Sequence, residues 1–114
     1  MTDLRSFIEE LDKRGELLCI DEELSPKFEI AATLRTLDGG PTVLFNKVKG
    51  FNHKIIGGIC GTRKHIYRSL RIEPEHFYQH LLHAIEHPTK TKIVDDGPVK
   101  EVVEESKLSR LPIL

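Results

Sequence analysis

Gly39-Gly40-Pro41-Thr42-Val43-Leu44-Phe45-Asn46-Lys47-Val48-Lys49-Gly50 is the stretch from which the fold can be read. Asp38, two permissive glycines and a proline stop any helix arriving from the N-terminal side, because proline lacks the N–H that continuation needs. Thr42-Val43-Leu44-Phe45 then changes the local preference. Its β-branched and aromatic residues suit a pleated, half-buried surface and predict a strand. Gly50 supplies a turn residue within Asn46 to Asn52, and Lys54-Ile55-Ile56 resumes the apolar run. Two strands joined so closely are expected to pair as neighbours.

Upstream of that stop, Ile30, Leu34 and Leu37 recur at helical spacing in an element that Pro26 opens. Further back, Leu17-Leu18-Cys19-Ile20 closes on Asp21-Glu22-Glu23 and reads as a first strand. Leu4, Phe7, Ile8 and Leu11 form the stripe of an N-terminal helix that Thr2 or Asp3 can cap and Gly15 ends. Downstream, Thr62 can cap a short helix over Arg63 to Leu70, with Ile66 and Leu70 at i and i+4. Glu73-Pro74-Glu75 opens a longer helix with Pro near its first turn and acids near its positive end, and His87-Pro88 closes it. Lys92-Ile93-Val94 and Val99 to Val103 are predicted as strands around an Asp95-Asp96-Gly97-Pro98 turn, while Leu108 to Leu114 reach no natural stop. Helices and strands alternate without an internal repeat. The expectation is one domain over residues 1–114, of α+β class with α/β-type layers: a small mixed sheet and about three to four helices.

Seventeen Lys plus Arg stand against eighteen Asp plus Glu, and the signs alternate along the chain, so neither nucleic acid nor an anionic membrane is indicated as a partner. Hydrophobic residues at 39% under a 31% charged complement supply a core and argue against disorder. No run approaches membrane-spanning length and the N-terminus has no signal-type apolar stretch, which predicts a cytoplasmic protein with no membrane span. Cys19 and Cys60 lie apart in apolar runs, outside any CxxC spacing, and are expected to be buried thiols in a reducing compartment.

Histidine placement is the one constellation above background. His76, His80, His83 and His87 follow i, i+4, i+7, i+11 and share one narrow helical stripe. The pairs His76 with His80 and His83 with His87 have the spacing to chelate a transition metal. No Cys or Asp completes such a shell, and Phe77, Leu81, Ala84 and Ile85 define an opposite, core-facing side. The expectation is therefore a histidine face turned to solvent or to a partner.

Gly57-Gly58-Ile59-Cys60-Gly61-Thr62 runs into a helix start, where backbone N–H groups can hold phosphate, yet it matches neither GxxxxGK[ST] nor GxGxxG. A tight turn is the expected use of these glycines. The carboxylate pairs Glu9-Glu10, Glu22-Glu23, Asp95-Asp96 and Glu104-Glu105 diverge on helices and point to opposite faces on strands, so they are read as solubility features. No Ser, His and Asp set falls in a nucleophile motif, and neither cysteine shows a local sign of thiolate activation. No catalytic, cofactor-binding or metal residue is assigned.

Taken in order, Asp3-Leu4-Arg5-Ser6-Phe7-Ile8, Gly15-Glu16-Leu17 and Glu29-Ile30 behind Pro26 resemble the opening of UbiD-type decarboxylases. Gly39-Gly40-Pro41, Leu44-Phe45-Asn46-Lys47-Val48-Lys49-Gly50, Gly61-Thr62 and Leu108-Ser109-Arg110-Leu111-Pro112-Ile113 continue it, resembling the family's glycine-proline turn, "LFxxVKG" strand, "GT" turn and "LxxLPI" segment. The resemblance is thinnest between Ile66 and Val99, which includes the histidine stripe.

What the resemblance implies is reversible, non-oxidative decarboxylation of aromatic or α,β-unsaturated acids with prenylated FMN, a divalent metal (manganese) and potassium. In that family the catalytic set, metal ligands and flavin pocket follow the "LxxLPI" segment. The cofactor-binding and C-terminal domains are thus expected to be absent from this chain, as in a fragment, a truncated gene product or a split subunit. No cofactor is then expected on these residues alone, and the chain alone is not expected to be a competent enzyme. Its partners would be the remaining decarboxylase domains, in the same or a separate chain, within a homo-oligomer. Two other roles stay open. One is a non-enzymatic accessory module that assembles with a decarboxylase subunit through the His76 to His87 face. The other is a small histidine-rich metal carrier.

Overall fold

The computed structural model describes residues 3–114. In chain order it comprises α1 (Leu4–Lys13), β1 (Leu17–Ile20), α2 (Glu29–Thr36), β2 (Thr42–Phe45), β3 (Ile55–Gly57), α3 (Arg63–Leu70) and α4 (Phe77–Glu86). Three 3-10 turns lie at Pro74–His76, Pro98–Lys100 and Leu108–Arg110. The predicted class is the observed one: four helices around a three-stranded mixed sheet.

The order β1-β2-β3 follows from the connections. Helix α2 carries the chain from β1 back alongside itself, so β1 and β2 run parallel, with Leu17 opposite Thr42 and Ile20 opposite Phe45. The short link through Gly50 (φ 81) returns β3 antiparallel to β2, with Leu44 opposite Ile56. Successive strand residues face opposite sides, and the central strand uses both. Val43 and Phe45 join Ile30 and Val48 in a buried core, against which Ile20, Leu24, Leu34, Leu37, Phe51 and Ile55 pack. On the other side Leu44 and Ile56 line a groove with Arg5 and Ile8 of α1. Phe7 and Leu11 of α1 are buried.

The caps explain where helices begin. The Asp3 carboxylate accepts the Ser6 N–H at 3.0 Å and so caps α1; Thr2, the alternative, lies outside the described residues. Thr62 Oγ1 accepts the His65 N–H at 3.2 Å at the head of α3. Gly57 packs closely under Leu34: a Cβ there would stand 2.9 Å from Leu34 Cδ1 and nearer still to Cδ2, so the leucine side chain would have to shift. Gly58 (φ 73) makes the turn into Gly61, whose N–H donates to the Gly58 carbonyl at 3.0 Å.

Four expectations are corrected. Cys19 and Cys60 are exposed, because β1 is an edge strand and Cys60 sits in the turn after β3. Leu70 is exposed, and it is His65 that α3 buries. The side of α4 expected to face the core is largely uncovered: Leu81 and Ile85 are exposed, Ala84 is exposed, and only Phe77 is half-buried, edge-on to Tyr67 with ring centroids 5.0 Å apart. Lys92-Ile93-Val94 and Val99 to Val103 form no strand. In place of the expected Asp95 to Pro98 turn there is a bend at Asp95 and then a 3-10 turn at Pro98–Lys100, where the Gly97 carbonyl accepts the Lys100 N–H at 2.9 Å. A strand needs a neighbour, however, and neither segment lies along an edge of the sheet.

A surplus of surface results. The chain exposes 9569 Å², against roughly 6,300 Å² for a compact monomer of this mass. Its radius of gyration is 17.2 Å, against about 13 Å. The excess comes from α4, none of whose residues is buried, and from the arm beyond it, where Ile93, Val99, Val103, Leu108 and Ile113 are all exposed.

Candidate functional site

The densest polar cluster joins α1, the start of β1 and α3. Glu16 Oε1 accepts the Lys64 ammonium at 2.6 Å, and Oε2 accepts the Arg68 guanidinium. Helical spacing in α3 puts Lys64 and Arg68 at i and i+4, on one side of the helix. Arg68 also approaches Glu10, whose carboxylate holds Arg14 at 3.1 Å. These bonds hold the Glu16 carboxyl down to about 2, the Arg68 hydrogen bond being the larger cause and the Lys64 bond the next. His65 lies beneath, 4% exposed, with Nε2 3.6 Å from Glu16 Oε2 and Nδ1 buried without a hydrogen-bond partner.

A depression of about 520 Å³ adjoins this cluster, lined by Glu10, Lys64, Tyr67, Arg68, Arg71 and Glu73 among others. Its chemistry is that of a clamp. A carboxylate already bonded to two cations is a weak base at neutral pH, and Lys64 and Arg68 of the lining are both engaged by Glu16. The lining also sets the carboxylates Glu10 and Glu73 among its cations, which opposes the convergent phosphate contacts that a flavin needs. The residues here do not fit prenylated FMN. Arg71 ends α3 in a left-handed conformation (φ 55), which a non-glycine residue adopts at a cost.

The four stripe histidines are all exposed on α4 and its flanks. His83 and His87 stack with centroids 4.3 Å apart, and His87 Nδ1 lies 3.1 Å from the His83 carbonyl oxygen. One imidazole nitrogen of that pair is thereby engaged with backbone. Among the described residues, no group of three or more His, Cys, Asp or Glu is arranged to hold a metal. Opposite the histidines, Tyr78, Leu81, Leu82 and Ile85 form an exposed apolar stripe at i, i+3, i+4 and i+7.

Sequence reasoning missed Glu16 and His65. Their separation along the chain hides the pair, and the only local signal was Lys64 and Arg68 at helical spacing with no acid on their own helix.

Residues 8–85 match the model of the 3-octaprenyl-4-hydroxybenzoate carboxy-lyase N-terminal domain. The uncharacterized protein in the cooM 5′ region of Rhodospirillum rubrum is 34% identical over 120 residues, covering 99% of this chain and 26% of that protein. An uncharacterized protein of Archaeoglobus fulgidus is 31% identical, covering 98% of this chain and 28% of its own. Among solved structures, the evolved dimeric form of the UbiD-class enzyme HmfF from Pelotomaculum thermopropionicum, in complex with prFMN, superposes with a TM-score of 0.88 at 32% identity, over 98% of this chain and 27% of that one. The vanillic acid decarboxylase of Sedimentibacter hydroxybenzoicus, in open form with truncated ShVdcD, does so with a TM-score of 0.71 at 26% identity, over 83% and 23%. The chain spans about a quarter of the length of these relatives.

Proposed function

Because the chain belongs to the family of 3-octaprenyl-4-hydroxybenzoate carboxy-lyase N-terminal domains, we propose that it serves as the single N-terminal domain of a larger prenylated-FMN-dependent decarboxylase. That enzyme acts reversibly and non-oxidatively on aromatic or α,β-unsaturated carboxylic acids. Its flavin, with a divalent metal such as manganese and with potassium, is held by the part of the enzyme that these residues do not span. The role of residues 1–114 is to pack against and support that part, within a homo-oligomer.

The observation that carries this reading is the surplus surface joined to the family match. A domain exposing about half again the area of a compact monomer, much of it Val, Leu and Ile, is stable in water only when something covers it. Two solved structures of one relative, HmfF, hold FMN and prFMN. Among the described residues, no helix is long and apolar enough to cross a membrane. Exposed thiols at Cys19 and Cys60 suit a reducing compartment, and we place the enzyme in the cytoplasm.

Reversibility supplies the test. The native protein, purified from its own source with whatever accompanies it and supplied with prenylated FMN, should exchange labelled bicarbonate into the carboxyl group of an aromatic or α,β-unsaturated acid. The 114-residue chain alone should not. Exchange by the isolated chain, or its absence across such acids in flavin-loaded native protein, would contradict the reading.

A further inference from the structure

The arm beyond α4 contains a segment with the composition of a strand and the hydrogen bonding of none. Val102 and Val103 are 75% and 85% exposed. Among the described residues, no backbone N–H from Val102 to Lys107 donates to a backbone carbonyl. Lys107 is extended at φ -122, ψ 93. The Lys107 carbonyl accepts the Arg110 N–H at 3.0 Å, and no backbone hydrogen bond reaches the carbonyls of 102–106. Exposed β-branched residues in a segment whose backbone groups are so largely unspent are what an added strand looks like before it meets its sheet.

The arm nonetheless follows a defined path. The superposition on the prFMN-bound HmfF form covers 98% of this chain at a TM-score of 0.88, so it includes the arm. A segment with so few contacts of its own keeps a shared path when something outside these residues holds it. The surplus of roughly 3,200 Å² is several times the ~800 Å² that one side of an ordinary interface buries, and belongs with permanent association.

We propose that residues 102–107 add as a β-strand to an exposed sheet edge of the flavin-binding portion of the decarboxylase, so that main-chain hydrogen bonds register this domain on its partner. The proposal rests on the family reading given above and adds the surface and the mode of docking. Valine on both faces of the added strand would anchor it, while Glu101, Glu104 and Glu105 discourage edge-to-edge pairing between copies of this chain.

Hydrogen exchange on the native, flavin-bearing protein tests it. The amides of 102–107 should exchange at least about 100-fold more slowly than those of an unstructured peptide. The double variant Val102→Pro/Val103→Pro, which removes one N–H from each side of the strand, should restore fast exchange over 104–107, and Val102→Thr/Val103→Thr should keep it slow. Unprotected amides in protein that carries flavin would overturn the docking mode and leave the family reading standing, as would slow exchange that survives the proline pair. Equal protection in the flavin-free, self-associated 114-residue chain would make a second copy the partner and overturn the proposal. Native protein with neither flavin nor any accompanying polypeptide would overturn both.

Discussion

Glu16 shows how one side chain can tie three elements together. It stands just before β1, takes both its bonds from α3, and shares Arg68 with Glu10 of α1. Exposed ion pairs contribute about 0–1 kcal/mol, and breaking a buried one costs about 3–5 kcal/mol. Glu16 and Arg68 are 22% and 17% exposed, between those limits. Glu16→Gln should therefore cost about 1–2 kcal/mol at pH 7, read by urea denaturation. The pH dependence follows from the depressed carboxyl. A group that binds its proton more weakly when folded lets the unfolded chain take up more protons as pH falls. The contribution is complete above the ordinary value of 4.5 and is lost on acidification toward about 2. Wild-type stability should fall through that window more steeply than that of Glu16→Gln, and parallel acid profiles would show that the network does not matter. None of this was legible in the sequence, because an ion pair between Glu16 and Arg68 is a product of the fold and leaves no local pattern.

Elements were more legible where the signal was local. The cap residues Asp3 and Thr62, the stop at Asp38 to Pro41 and the turn at Gly50 each act through their own neighbours, and each stands where sequence placed it. Gly57 is a case where sequence marked the residue but not the reason. Expected as part of a turn, it instead ends β3 and makes room for Leu34 of α2 on the sheet. Gly57→Ala should cost about 1–3 kcal/mol by overpacking. In a Leu34→Ala background that penalty should fall below about 0.5 kcal/mol, because the clash is removed. Equal penalties in both backgrounds would place the constraint elsewhere. The failures share another cause. The strands expected at Lys92 to Val94 and Val99 to Val103 have apt composition and no neighbour, and α4 has an apolar stripe with nothing on it. Pattern reports what a segment can bury, and burial depends on what is present to bury it against.

At the scale of the molecule, those two failures become the informative result. Residues up to Phe77 pack around one small sheet, while α4 and the arm carry apolar surface outward. The family's resemblance could be read from the chain's ordered motifs, whereas no catalytic or flavin-binding residue could be assigned from them. The central claim is that this domain works as part of something larger. The most direct measurement is the intact mass of the native polypeptide bearing this N-terminus, taken from its own source together with whatever co-purifies. The account predicts a chain well above 13.0 kDa, or a 13.0 kDa chain in stoichiometric company with a flavin-bearing polypeptide. A 13.0 kDa chain that purifies alone, monomeric and without flavin, would contradict it.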